Sequence, residues 1–120
     1  MEDVIPYLVK QQQIEILQKI QKDVYETAVS KGWWDDPNPN KAEKIALMHS
    51  ELSEGLENIR HGEGPSDHIP EFKGIEEELG DEMIRVMDFA AHYKYRAIEA
   101  MFAKMEFNRT RPHKHGGKAF

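Results

Sequence analysis

Asn40-Lys41-Ala42-Glu43-Lys44-Ile45-Ala46-Leu47-Met48-His49-Ser50-Glu51-Leu52-Ser53-Glu54-Gly55-Leu56-Glu57-Asn58-Ile59-Arg60-His61-Gly62 carries the strongest structural signal in the chain. Asn40 followed three residues later by Glu43 has the form of a capping box, in which a short polar side chain accepts the first free amide of a helix. Ile45, Met48, Leu52, Leu56 and Ile59 recur at helical spacing and predict the core-facing stripe. Gly62 marks the stop. Within this helix Glu51-Leu52-Ser53-Glu54 places two carboxylates three residues apart, and Glu78-Leu79-Gly80-Asp81 repeats the pattern further on. Residues i and i+3 are neighbours on a helix surface, so each copy presents a pair of oxygen ligands.

At about 100° per residue, Glu51 and Glu54 lie about 100° and 160° to one side of Leu52, and Glu78 and Asp81 stand in the same relation to Leu79. Packing the two apolar stripes would then bring the two acidic pairs together. Leu47, one turn before Glu51, shares the acidic face and predicts that this face is partly covered. Four carboxylates in one small volume repel one another unless a cation lies between them. Oxygen ligands without sulfur suit a hard divalent ion, Mg2+ or, as a substitute, Mn2+. Glu43, Glu57, Glu76, Glu77 and Glu82 read as surface acids or as spare charge around such an ion.

The remaining elements are helical as well, and no alternating strand pattern stands out. Ile16, Leu17, Ile20, Val24 and Ala28 predict a first helix over about 9–31, ended by Gly32. Trp33-Trp34-Asp35-Asp36-Pro37-Asn38-Pro39 reads as a loop. A third helix starts at about Pro70 or Gly74, with Ile75, Leu79, Met83, Val86 and Ala90 facing inward. A fourth runs over about 97–109 through Ile98, Met101, Phe102 and Met105. His92-Tyr93-Lys94-Tyr95-Arg96 contains neither Pro nor Gly, so a turn and one long bent helix both fit it. Residues 112–120 read as an irregular basic tail. The expected fold is all-α, an antiparallel four-helix bundle in a single domain over 1–120, completed by oligomerisation.

Composition narrows the function. With 120 residues the chain forms one small domain, and with no cysteine it has no disulfide, thiolate metal site or cysteine nucleophile. A net charge of −6 argues against a protein that coats nucleic acid. No apolar run suits a membrane span, and Met1-Glu2-Asp3-Val4-Ile5-Pro6 lacks the layout of a secretory signal, so a soluble cytoplasmic protein is expected. Positive charge gathers late, at Lys104, Arg109, Arg111, Lys114 and Lys118, against the single acid Glu106. Residues 104, 108 and 111 share one side of the last helix and its exit. Lys104, Asn108 and Arg111 there suit a phosphate chain, and His113, His115 and Lys118 extend that basic segment. A di-iron bundle would need Glu-x-x-His pairs, and none of the six histidines has a Glu three residues before it. No phosphate-binding glycine loop or His-Glu-x-x-His motif occurs.

Glu51-x-x-Glu54 followed by Glu78-x-x-Asp81 resembles the signature of the MazG-like all-α nucleoside triphosphate pyrophosphohydrolases. The likeness extends from Gly32-Trp33-Trp34-Asp35 to the C-terminal Lys104-Met-Glu-Phe-Asn108-Arg-Thr-Arg111-Pro112-His113-Lys-His115-Gly116-Gly117-Lys118. One departure is Ser50, where many members carry a further Glu. The resemblance implies Mg2+-dependent cleavage of a nucleoside triphosphate to monophosphate and pyrophosphate, in a homodimer or homotetramer. It implies Glu51, Glu54, Glu78 and Asp81 as metal ligands and Lys104, Asn108, Arg111, His115 and Lys118 as phosphate contacts. Trp33 or Trp34 offers a stacking surface for a base. Arg85 and Asp88, continuing the Asp81 face at i+4 and i+7, either contact the ligand or form a structural ion pair. Two other readings stay open: a phosphoribosyl-ATP pyrophosphohydrolase, and a non-catalytic helical module for oligomerisation or regulation.

Overall fold

A computed structural model describes residues 4–112, and they are all-helical, with four helices and no strand among them. These are α1 (Val4–Ser30), α2 (Lys41–Arg60), α3 (Gly74–Tyr93) and α4 (Ala97–Arg109). None of them is long and apolar enough to cross a membrane. His115 and Lys118, with the rest of 113–120, lie outside the described residues.

Local chemistry sets most boundaries. The Asn40 side chain accepts the Glu43 amide and opens α2 as expected. Gly32, with φ of +88°, takes the left-handed turn that ends α1. α1 begins earlier than the sequence periodicity implies. The break between α3 and α4 is a true turn: Lys94 adopts a left-handed conformation, and its amide bonds back to the end of α3. A helix that exits through αL without glycine leaves little trace in sequence.

The chain divides into two compact units. Residues 21–94 form one, and residues 4–20 with 95–112 form the other. In the second unit Ile14 and Ile98 are buried and Gln18 donates to Glu99. A cavity of about 520 Å3 is lined there by Val9, Gln13, Phe102 and Met105, among others.

The first unit is organised by the antiparallel pair α2 and α3. Gly55 is buried, and a Cβ there would meet Ile75 Cδ1 at 2.7 Å and Glu78 Cβ at 3.6 Å, so α3 passes directly over it. Asn58 fastens the same end, accepting the Ile75 amide and donating to the Gly64 carbonyl. The connecting loop folds on buried Ser66, whose hydroxyl donates to Glu77 and accepts the His68 and Ile69 amides. His68 Nδ1 also lies 2.8 Å from the Glu77 carboxylate. Glu77 is therefore a loop anchor, not a surface acid. The last turns of α1 lie along α3: Gln21 donates to the Met87 carbonyl and Tyr25 is hydrogen-bonded to His92.

The expected core stripes are overturned. Leu52, Leu56 and Ile59 on α2 and Leu79, Met83 and Val86 on α3 are exposed, Met83 to 66 %. Ile45 is exposed too, while Ala90 is buried and Met48 and Ile75 are half-buried. The interior of the pair instead receives Glu51, Gly55 and half-buried Leu47. α2 turns the face carrying Leu47, Glu51 and Gly55 toward α3, and Leu52, Leu56 and Ile59, at the margin of that face and beyond it, stay exposed.

Candidate metal centre

Glu51 and Glu54 project from the middle of α2 toward Glu78 on α3. One carboxylate oxygen from each of the three lies within 4.8 Å of the others. Glu51 is only 6 % exposed. The Oε2 atom of Glu78 is buried without a hydrogen-bond partner. Burial, and then the neighbouring Glu51 and Glu54 carboxylates, push the Glu78 pKa up to about 8. A second orphaned carboxylate oxygen, Glu82 Oε2, lies one turn further along α3.

Asp81, the fourth expected ligand, does not belong to the three-carboxylate group. It lines an adjoining cavity of about 240 Å3 with Ala28, Trp33, Glu51, Ile84, Arg85 and Asp88. Burial and the Glu51 charge raise its pKa as well, with Arg85 acting in the opposite sense. The acidic side chains of two helices thus meet, three at the centre and Asp81 beside them.

An oxygen-only donor set within this span, one of whose buried oxygens lacks any partner, fits a hard divalent cation. Such an ion would supply the charge that the buried carboxylates lack.

The two tryptophans separate in role. Trp34 stacks on His92 with ring centroids 3.7 Å apart and planes inclined by 7°. Its indole N–H donates to Asp88 Oδ1 at 2.8 Å. Burial raises the Asp88 pKa, and the Trp34 hydrogen bond and nearby cations oppose this. Trp33 is 45 % exposed and forms a wall of the cavity. Lys44 donates to the Trp33 carbonyl and lies 4.7 Å from the Trp34 ring centroid, bracing the loop from α2.

Arg85 supplies the contact whose partner the sequence leaves undecided. Its Nε donates to Glu51 Oε1 at 2.5 Å, and its guanidinium carbon lies 4.6 Å from the Trp33 ring centroid. The i+4 spacing from Asp81 places Arg85 on the right face, but only the packing of α2 on α3 selects Glu51. Lys104, Asn108 and Arg111 are exposed and belong to the other unit. There the Lys104 ammonium lies 4.4 Å from the Phe107 ring centroid. No protein-family model, curated protein or solved structure matches the chain.

Proposed function

We propose that the protein is a Mg2+-dependent nucleoside triphosphate pyrophosphohydrolase whose catalytic centre is the acidic seam between α2 and α3. The observation that carries this is the meeting of Glu51, Glu54 and Glu78 with a buried Glu78 oxygen left unpartnered. Stability alone does not favour such a group, since like charges brought together out of water are costly. A function that needs a divalent ion accounts for it.

Glu51, Glu54 and Glu78 hold the ion, with Asp81 at its edge; Mn2+ is an acceptable substitute. When bound, the ion neutralises phosphate charge and makes a water more acidic. Glu54, the least buried of the central three, accepts the proton of the attacking water. The water oxygen forms a bond to the α-phosphorus, the bond from that phosphorus to the bridging oxygen breaks, and pyrophosphate leaves. Trp33, with Arg85 against its ring, lines the cavity beside the centre and offers its remaining exposed surface to the nucleoside. For Lys104, Asn108, Arg111, His115 and Lys118, phosphate contact rests on the MazG-like resemblance alone.

The exposed apolar faces of α2 and α3 support self-association, so that a second copy covers Leu52, Leu56, Leu79 and Met83 in a homodimer or homotetramer. That feature would equally serve a non-catalytic oligomerisation module. Pyrophosphate release separates the two readings. A panel of ribo-, deoxy- and damaged nucleoside triphosphates, with and without Mg2+, should give Mg2+-dependent release from at least one. Release from none, together with no heat on Mg2+ titration, would leave the non-catalytic module.

A further inference from the structure

Arg85 is the residue whose position the acidic centre alone does not account for. Its Nε is committed to Glu51, and its guanidinium lies against the Trp33 ring. The two terminal nitrogens make no hydrogen bond among the described residues. A guanidinium fixed at Nε and on one face keeps its outer N–H groups as a preorganised fork, the geometry that receives two oxygens of one phosphate. Only 24 % of the Arg85 side chain is exposed, so the fork is partly desolvated. It borders the cavity that also contains Asp81, Asp88 and the Trp33 wall. A nucleotide whose nucleoside rests on Trp33 would have its first phosphate next to Arg85.

We infer that Arg85 binds the phosphate group nearest the nucleoside, with Glu51 and Trp33 holding its guanidinium in place. This rests on the nucleotide reading above. It assigns Arg85 two tasks: its Nε orients Glu51 for the cation, and its terminal nitrogens select a phosphorylated ligand. A counter-ion serving Glu51 alone would need neither the aromatic support nor a fork.

Arg85→Lys separates these tasks. Lysine keeps a positive charge near Glu51 but loses the planar fork and the stacked face. Mn2+ binding to the whole chain is measured by electron paramagnetic resonance, first alone and then with an α,β-methylene deoxynucleoside triphosphate, which cannot be cleaved at that position. Arg85→Lys should bind Mn2+ within about threefold of the parent and bind the analogue about tenfold more weakly or worse. Arg85→Gln should lose at least as much analogue affinity, with circular dichroism confirming that it folds. Inorganic tripolyphosphate, lacking a nucleoside to place its first phosphate, should discriminate less between parent and Arg85→Lys.

Equal analogue affinity in Arg85→Lys and the parent would overturn the assignment and leave Arg85 as a counter-ion. A parent that binds Mn2+ but no analogue would overturn both this assignment and the nucleotide reading. A parent that binds the analogue while Arg85→Lys is unaffected sinks the assignment alone.

Discussion

The inner and outer faces of the α2–α3 pair are inverted relative to an ordinary helical hairpin. Inside lie buried Glu51 and half-buried Glu78, whose Oε2 is buried and unpartnered, with exposed Glu54 at their rim. Outside lie Leu52, Leu56, Ile59, Leu79 and Met83. Burial of apolar area is the main favourable contribution to folding, at about 25 cal/mol per Å2, and crowded acids oppose it. On the function proposed above, a cation would sit at the inner face and a second copy would cover the outer one. The inner face has partial compensation from Arg85, whereas the outer stripes have no such covering within their own unit.

The sharpest way to break the inner face is Glu54→Gln. Loss of one ligand and of the proton acceptor should lower pyrophosphate release by about a thousandfold while helical circular dichroism is retained. Release near the parent rate would remove Glu54 from the chemistry. The outer face is broken by Leu56→Lys, which places a charge in the middle of the exposed stripe. Self-association measured by sedimentation should weaken by about 30-fold, the effect of losing a central contact of about 2 kcal/mol. Unchanged association would mean that the outer stripe is not where copies meet. Cation loading sharpens the contrast from the other side. Mg2+ at about 100 times its Kd should stabilise the fold by about 2.7 kcal/mol, and Glu78→Gln should abolish most of that gain.

Sequence reading recovers the helical class, the Asn40 cap, the span of α4 and Gly74 as one of two starts offered for α3, because each has a local or periodic signature; of the four expected ligands, Glu51, Glu54 and Glu78 approach one another and Asp81 lies beside them. It misplaces the inner face of α2. The apolar stripe rule assumes that leucines find their partner within the chain, whereas here Glu51 and Gly55 face α3 and Leu52 and Leu56 are exposed. A better signal was available: Gly55 lies one turn beyond Glu51, so the buried glycine and the buried acid share one face of α2. The Arg85–Glu51 pair and the Ser66–His68–Glu77 knot are long-range or loop-borne, and no periodicity encodes them. Trp33 and Trp34 are adjacent and chemically alike, and only the neighbours His92 and Asp88 distinguish the covered ring from the open one.

The smallest expected effect, and the most direct probe of the inner face, is the pH dependence of stability without metal. The Glu78 carboxyl has its pKa raised from 4.5 to about 8 by folding. Between those values the folded chain keeps a proton that the unfolded chain has released. Its contribution is therefore complete below 4.5 and disappears as pH rises through about 8. Asp81 and Asp88 are raised too and act in the same direction, whereas Glu77, lowered by Ser66 and His68, favours the fold above its ordinary range. In EDTA the melting temperature should fall from pH 6 to pH 8.5, and Glu78→Gln should flatten most of that slope. Mg2+ should reverse it, because binding competes with the Glu78 proton and apparent affinity rises by up to about tenfold per pH unit toward 8. A melt in EDTA that ignores pH over this range would mean that Glu78 is not held out of water beside Glu51 and Glu54, and the contrast between the two faces of the pair would vanish with it.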